Sequence, residues 1–99
     1  MLFRSAFVID ADLCYDLRTL ELLNSKNVVI TPHPKEFASL LGLANLGKFD
    51  TREVQKNRFN LAQIFSRNFK CVLVLKGANT LIAQGGEVYV ILRDRKSVV

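Results

Sequence analysis

Residues 71–83 read CVLVLKGANTLIA, and this stretch does most to decide the fold. Its first five residues are a continuous apolar run, which is typical of a strand buried on both faces of a parallel sheet. The run ends at Lys76 and Gly77. Residues 80–83 and 87–91 are separated by the three residues QGG, and this pattern predicts a β-hairpin.

Two further strands are predicted upstream of this stretch. Residues 6–9 and residues 28–30 are short apolar runs bounded by polar residues. The second run stops at residues 31–34, TPHP, because proline lacks the amide hydrogen that a strand ladder needs. Leucines at helical spacing lie between the two runs and predict a short helix. They are Leu17, Leu20, Leu22 and Leu23.

Two longer helices are predicted in the middle of the chain. Pro34 suits the first turn of a helix, with Glu36 near the amino end and Gly42 as its stop. Asp50 and Glu53 have the spacing of a capping box, which predicts that a long helix follows. Apolar residues of that helix recur at intervals of three, four or seven and define one buried face. They are Val54, Leu61, Ile64, Phe65 and Phe69.

The order of these elements predicts an α/β fold, in which right-handed crossovers join parallel strands. Ligands of open α/β sheets bind beyond the carboxyl ends of the strands. Three polar clusters follow predicted strands, at residues 10–12, 31–36 and 76–80. This coincidence makes the carboxyl edge of the sheet the candidate functional site.

Each cluster allows a functional and a plain structural interpretation. Residues 76–80 offer a cation, a glycine and a hydroxyl to an anionic ligand, but they lack the glycine pattern of a P-loop and also fit a simple turn. His33 is the only histidine, and its place between two prolines suits either ligand contact or an exposed loop residue without a role. Glu36 fits a helix-start residue. Asp10 and Asp12 could hold a metal-bound phosphate, orient a ligand hydroxyl or cap the next segment.

Composition narrows the classes of function. The chain has 99 residues, of which 49% are apolar and 23% charged, as in a folded globular chain. Its formal charge is +5, but four of the fourteen basic residues lie at the extreme ends. The others, Arg58 among them, are spread as on a solvated helix face, which argues against nucleic-acid binding. Cys14 and Cys71 lack metal-ligand spacing, so no metal site is predicted from them.

No membrane span or signal peptide is recognisable, which predicts a cytoplasmic location without membrane partners.

Three segments carry a family resemblance. They are VIDADL at residues 8–13, TPHPKEFASLLG at residues 31–42 and VLVLKGANTLIA at residues 72–83. In sequence, order and spacing they resemble the bacterial ADP-dependent NAD(P)H-hydrate dehydratases, over roughly residues 6–91. The resemblance implies that the chain is part of a ribokinase-like three-layer α/β/α sandwich with a mostly parallel sheet.

The resemblance also implies a function. The family members are lyases that repair the S-epimer of NADH hydrate and NADPH hydrate, using ADP and releasing AMP and phosphate. By position, His33 would contact the hydrated nicotinamide nucleotide, and Asp10 and Asp12 match an acidic segment with a structural or Mg²⁺-linked role. The residues implied to bind the nucleotide are Lys76, Gly77, Ala78, Asn79 and Thr80. The intact enzyme would be a homo-oligomer in the cytoplasm.

The carboxyl end departs from the family pattern. The family places a glycine-rich GxGD segment, with an anion hole and the catalytic aspartate, soon after the last hairpin. Residues 92–99 read LRDRKSVV instead, and Asp94 is not that aspartate because no glycine precedes it. We therefore expect no catalytic residue in this chain and no activity from it alone. Residues 1–5 and 92–99 look foreign to the family, so we expect neither end to be native.

Two other functions stay open at this point. The first is a ribokinase-like kinase acting on a vitamin precursor or a sugar, a class that shares the architecture but usually not the histidine loop. The second is a non-catalytic nucleotide-binding module, which the missing GxGD segment suggests.

Overall fold

The computed structural model describes residues 7–9 and 17–91. Its elements, in chain order, are β1 (Phe7–Ile9), α1 (Thr19–Leu22), β2 (Val28–Ile30), α2 (Pro34–Leu43), α3 (Thr51–Lys56), α4 (Arg58–Asn68), β3 (Val72–Leu75), β4 (Thr80–Gln84) and β5 (Glu87–Ile91). The strands form one sheet in the order β1-β2-β3-β4-β5. β1, β2 and β3 run parallel, whereas β3, β4 and β5 are antiparallel. The predicted α/β class and the hairpin are confirmed. None of the helices in these residues could cross a membrane.

One face of the sheet carries the hydrophobic core. Alternate residues of the strands are buried there, because successive side chains of a strand point to opposite faces. These residues are Ile9, Val28, Ile30, Leu73, Leu75, Leu81 and Ala83. Helices α2, α3 and α4 contribute apolar side chains to the same cluster. Those side chains are Phe37, Leu40, Leu41, Val54, Leu61, Ala62 and Phe65.

The other face of the sheet is partly open. Val8 of β1 is 64% exposed and Tyr89 of β5 is 61% exposed. Between them, Val29, Val74 and Ile82 are half-buried. This differs from the expectation of strands buried on both faces, because the described helices feed a single core cluster on the first face.

Helix α2 ends one residue later than predicted. It continues through Gly42 to Leu43, and the left-handed residue that closes it is Asn45, with φ of 61°. The amide of Leu46 donates to the carbonyl oxygen of Leu41 at 2.9 Å, across this turn. Asparagine tolerates the left-handed region better than other residues with a side chain, so it takes the place that glycine usually occupies.

The capping box at Asp50 is confirmed, but the long helix is not. The amide of Glu53 donates to Asp50 Oδ1 at 2.8 Å, and the amide of Asp50 donates to Glu53 Oε1 at 2.9 Å. Asn57 then interrupts the helix with φ −115° and ψ 28°. Its side-chain amide donates to the carbonyl oxygen of Glu53 at 3.1 Å, a local bond of the kind by which asparagine competes with helix geometry. The result is two helices, α3 and α4.

The buried face of α4 agrees with the sequence pattern at all but one predicted position. Leu61 and Phe65 are buried, and the ring of Phe69 stacks on Phe65 with centroids 4.8 Å apart. Ile64 is 41% exposed, so its assignment to this face was wrong. Successive helix residues are about 100° apart around the axis, which turns Ile64 to the flank while Ala62 faces the core.

The hairpin turn is fixed against α4. Gly85 and Gly86 have φ of 65° and 88°, the left-handed values that a two-residue turn requires. The amide of Gly86 donates to Ser66 Oγ at 2.9 Å, and Gln63 Nε2 donates to the carbonyl oxygen of Gly86 at 3.0 Å. The turn is thereby joined to the helix that covers the core.

Candidate functional site at the carboxyl edge of the sheet

The parallel strands bring two of the three polar clusters together. β2 and β3 are neighbours, and both end at the same edge of the sheet. The amide of Lys76, directly after β3, donates to the carbonyl oxygen of Pro32 at 2.9 Å. This bond joins the segment of residues 31–36 to the 76–80 segment. The third cluster, with Asp10 and Asp12, lies outside the described residues.

His33 opens α2 as its N-cap residue. Its Nδ1 accepts a hydrogen bond from the amide of Glu36 at 3.4 Å, and Glu36 Oε1 accepts one from the amide of His33 at 2.9 Å. Its Nε2 lies 3.3 Å from Glu36 Oε2. An accepting Nδ1 requires the ring proton on Nε2, so the neutral ring can point that proton at the carboxylate. The imidazole is 49% exposed, and both of its ring nitrogens face Glu36.

Glu36 does more than start the helix. It is the third helical residue and completes a capping box with His33. Its side chain is only 11% exposed, and its carboxylate fixes the orientation of the imidazole. The prediction that Glu36 belongs to the helix start is confirmed, but its pairing with His33 was not predicted. Histidine is not among the usual N-cap residues, so no standard pattern signals this pair.

The 76–80 segment lies at the surface between β3 and β4. Lys76, Gly77, Ala78 and Asn79 are exposed, and Thr80 is half-buried as the first residue of β4. Both ends of the segment are held by the strand pair, in which Leu75 is opposite Leu81. The exposed ammonium of Lys76 and the neighbouring backbone are accessible to an anionic ligand.

Arg58, at the start of α4, was missed by the sequence analysis and contacts this segment directly. Its Nη2 donates to the carbonyl oxygen of Leu75 at 3.3 Å and to that of Asn79. Its Nε is buried and has no hydrogen-bond partner among the described residues. Burial lowers the pKa of the guanidinium from its ordinary value, because desolvation disfavours the charged form.

A sequence signal for Arg58 existed. The residue lies four positions after Val54 and three before Leu61, in the apolar stripe of the predicted helix. A charged residue in such a stripe needs a buried polar partner, and the carbonyl groups at the end of β3 supply it. The prediction that Arg58 lies on a solvated face is wrong, because its side chain is half-buried.

A cleft adjoins this arrangement. It has a volume of about 230 Å³ and is lined by Pro34, Gln55, Arg58, Gly77 and Ala78. It therefore connects the start of α2, next to His33, with the 76–80 segment. A larger cleft of about 330 Å³ lies between α2 and residues 48–51, but none of the predicted site residues lines it.

Comparisons with known proteins show similarity over most of the chain. The family model described as NAD(P)H-hydrate dehydratase matches residues 1–97. The bifunctional NAD(P)H-hydrate repair enzyme Nnr of Helicobacter pylori is 45% identical over 84 residues, which is 84% of this chain and 18% of that protein. The ADP-dependent (S)-NAD(P)H-hydrate dehydratase of Neisseria meningitidis is 37% identical over 89 residues, or 84% of this chain and 28% of that protein.

The fold has a solved counterpart. The ADP/ATP-dependent NAD(P)H-hydrate dehydratase from Bacillus subtilis, co-crystallised with ATP/Mg²⁺ and soaked with CoA, superposes with a TM-score of 0.58 and 30% sequence identity. The match covers 72% of this chain and 24% of that one. The chain thus spans less than a third of the length of these relatives. With the family model matched over almost the whole sequence, the chain belongs to the NAD(P)H-hydrate dehydratase family.

Proposed function

We propose that the protein dehydrates the S-epimer of NADH hydrate and of NADPH hydrate, and that it consumes ADP and releases AMP and phosphate. The overall reaction balances, because the elements of water removed from the hydrate are taken up when the terminal phosphoryl group of ADP is released as phosphate. The observation that carries the proposal is the hydrogen bond from the Lys76 amide to Pro32. It supports a single site to which the histidine loop and the 76–80 segment both contribute.

The 76–80 segment would bind the phosphates of ADP. The exposed Lys76 supplies a positive charge, and Thr80 supplies a hydroxyl. The backbone of the residues between them is close to the surface. Hydrogen bonds from charged donors to phosphate are about twice as strong as neutral ones. We therefore assign the largest share of nucleotide affinity within this chain to Lys76.

His33 would contact the hydrated nicotinamide nucleotide. Both ring nitrogens face Glu36, so this contact would be made by the exposed ring face and carbon edge rather than by proton transfer. A flat ring held from one side suits packing against the nicotinamide part of the substrate. In this assignment His33 orients the substrate, and Glu36 orients His33.

Mg²⁺ would accompany the nucleotide. Within residues 7–9 and 17–91, no group of three or more His, Cys, Asp or Glu side chains is placed to bind a metal ion. Mg²⁺ usually binds through one or two carboxylates together with phosphates of the substrate. We propose Asp10 and Asp12 as structural or Mg²⁺-linked carboxylates.

This chain alone would bind ADP without turnover. Its sequence contains no GxGD segment after the hairpin, and that segment supplies the anion hole and aspartate in the family pattern. Preorganised donors of an anion hole contribute about 3–4 kcal/mol each to transition-state stabilisation. We further propose that the active form is a cytoplasmic homo-oligomer without nucleic-acid or membrane partners.

The test measures the ADP-driven appearance of NADH absorbance from NADH hydrate, with the chain and with the full-length product of its gene. We expect activity only from the full-length product, and at least about tenfold weaker ADP binding after Lys76→Ala. Lys70→Ala is the matched control, since it removes the same exposed charge just before the start of β3. A full-length product that contains the GxGD segment and is inactive with both ADP and ATP would exclude the dehydratase function and leave the kinase to be assayed.

A further inference from the structure

Arg58 is the one described residue whose buried side-chain nitrogen lacks a partner. The guanidinium lies against the 76–80 segment and donates to its backbone. Its Nη2 has two hydrogens and two acceptors, the carbonyl oxygens of Leu75 and Asn79. These acceptors lie at the two ends of the turn, so one nitrogen ties the end of β3 to the residue before β4.

Gly77 is part of the same arrangement. A Cβ atom at this position would lie 2.7 Å from Arg58 Nη2 and 2.9 Å from Arg58 Cζ. Contacts this short are not tolerated, so either the guanidinium or the backbone would move. The backbone of Gly77 does not have a positive φ. Glycine therefore permits the close approach of the arginine at this position and is not needed for backbone conformation.

We propose that Arg58 is the positioning residue of the nucleotide-binding segment, and that Gly77 is present to admit it. This inference rests on the proposed ADP binding by the 76–80 segment. Arg58 crosslinks the turn through Leu75 and Asn79 and thereby fixes the direction of the exposed backbone and of Lys76. It would act on ADP affinity through the segment, without being the residue that contacts the phosphates.

The shape of the arginine side chain matters for this role. Lysine is one bond shorter and has no planar guanidinium, so its nitrogen would not reach the position of Arg58 Nη2, from which both carbonyl groups are contacted. Arg58→Lys keeps the positive charge and the apolar stem within the stripe of α4. It therefore separates the positioning role from the effects of charge and packing.

The experiment uses the 99-residue chain and three arginine variants, Arg58→Ala, Arg58→Lys and the control Arg52→Ala. Arg52 is an exposed arginine of α3. Amide ¹⁵N order parameters of Gly77, Ala78 and Asn79 report the order of the segment, and titration with ADP reports affinity. We expect the order parameters to fall from about 0.85 to below about 0.6 in both Arg58 variants, and ADP affinity to fall about tenfold. The order parameter of Leu73 should stay the same in all variants. Arg52→Ala should change neither the order parameters of the segment nor the ADP affinity.

A double-mutant cycle tests the role of Gly77. Gly77→Ala should weaken ADP binding about as much as Arg58→Ala does, and should add nothing in the Arg58→Ala background. If the losses of ADP affinity in the two single variants were additive in the double variant, Gly77 and Arg58 would not be coupled, and the proposed role of Gly77 would be wrong. Unchanged order parameters, or loosened order with unchanged ADP affinity, would overturn the positioning role.

The two proposals fail separately. If the parent chain does not bind ADP, the proposed nucleotide site is wrong for this chain, and the order parameters still decide whether Arg58 orders the segment. If Arg58→Ala does not fold, Arg58→Lys takes its place in the order-parameter measurement and in the cycle with Gly77→Ala.

Discussion

The carboxylate of Glu36 holds His33 at two points, accepting the amide hydrogen through Oε1 at 2.9 Å and facing the imidazole Nε2 through Oε2 at 3.3 Å. A second capping box, between Asp50 and Glu53, has the same backbone geometry without an imidazole. The two boxes allow helix capping to be separated from the orientation of His33.

The first prediction compares Glu36→Ala with Glu53→Ala. Each substitution removes one reciprocal bond of a capping box, so each should lower the free energy of unfolding by about 1 kcal/mol in urea titrations. Only Glu36→Ala should change the tautomer ratio of the His33 imidazole, measured by ¹⁵N NMR. The same ratio in both variants would contradict the role of Glu36 in orienting the ring.

The second prediction concerns Ser66, whose buried hydroxyl accepts from the Gly86 amide at 2.9 Å and donates to the Gln63 carbonyl at 3.0 Å. Ser66→Ala should lower the free energy of unfolding by about 1–3 kcal/mol, because the Gly86 amide loses its partner. Ser25→Ala is the control. It removes the same group from an exposed bond to the Asn27 amide, where water can replace it, so its effect should stay within about 0.5 kcal/mol. Equal losses would be evidence against the burial argument.

The third prediction uses the thiol of Cys71, which is buried. Burial raises its pKa to about 12, from an ordinary value of 9.0. Between these values the folded chain keeps a proton that the unfolded chain loses, so stability should fall as the pH rises, by up to about 1.4 kcal/mol per pH unit. Cys71→Ala should show a shallower decline than the parent chain in urea titrations above pH 9. Identical slopes would show that the thiol does not titrate in this way.

The fourth prediction concerns Tyr89, which donates a hydrogen bond to Glu87 Oε1 at 2.9 Å. This bond, together with the negative charge of Glu87, raises the pKa of the Tyr89 hydroxyl. Ultraviolet titration should find one phenol that ionises at higher pH than a free tyrosine. Glu87→Gln should shift that titration to lower pH, whereas Glu21→Gln, on α1, should not. If Glu87→Gln left the pH of ionisation unchanged, the hydrogen bond between Tyr89 and Glu87 would be absent in solution.

The sequence predicted those features that depend on local patterns. The apolar runs gave the strands, and the spacing of Asp50 and Glu53 gave the start of α3. The alternation of polar clusters with strands also predicted that residues 31–36 and 76–80 meet, because parallel strands end at one edge. The interpretation of Asp10 and Asp12 and of the two chain ends stays a prediction, since they lie outside the described residues.

Features that depend on particular side-chain contacts were not predicted. The helix is interrupted at Asn57, whose side chain donates to the carbonyl oxygen of Glu53. The apolar repeat continues through this position, so periodicity alone does not predict the interruption. The role of Arg58 depends on where the end of β3 lies relative to α4. The pairing of His33 with Glu36 depends on a residue type that rarely caps helices.

The pairing of Leu75 with Leu81 also bears on how fast a ligand can arrive and leave. The residues between them span a turn whose ends are fixed by two hydrogen-bonded strands and joined to each other through Arg58, so we expect no large lid movement of this turn. The entropy of ordering this turn is lost when the sheet folds and not when the ligand binds. A nucleotide bound to this turn, as proposed, would therefore encounter a preorganised surface, and we expect its residence time to depend mainly on the strength of its contacts with that surface.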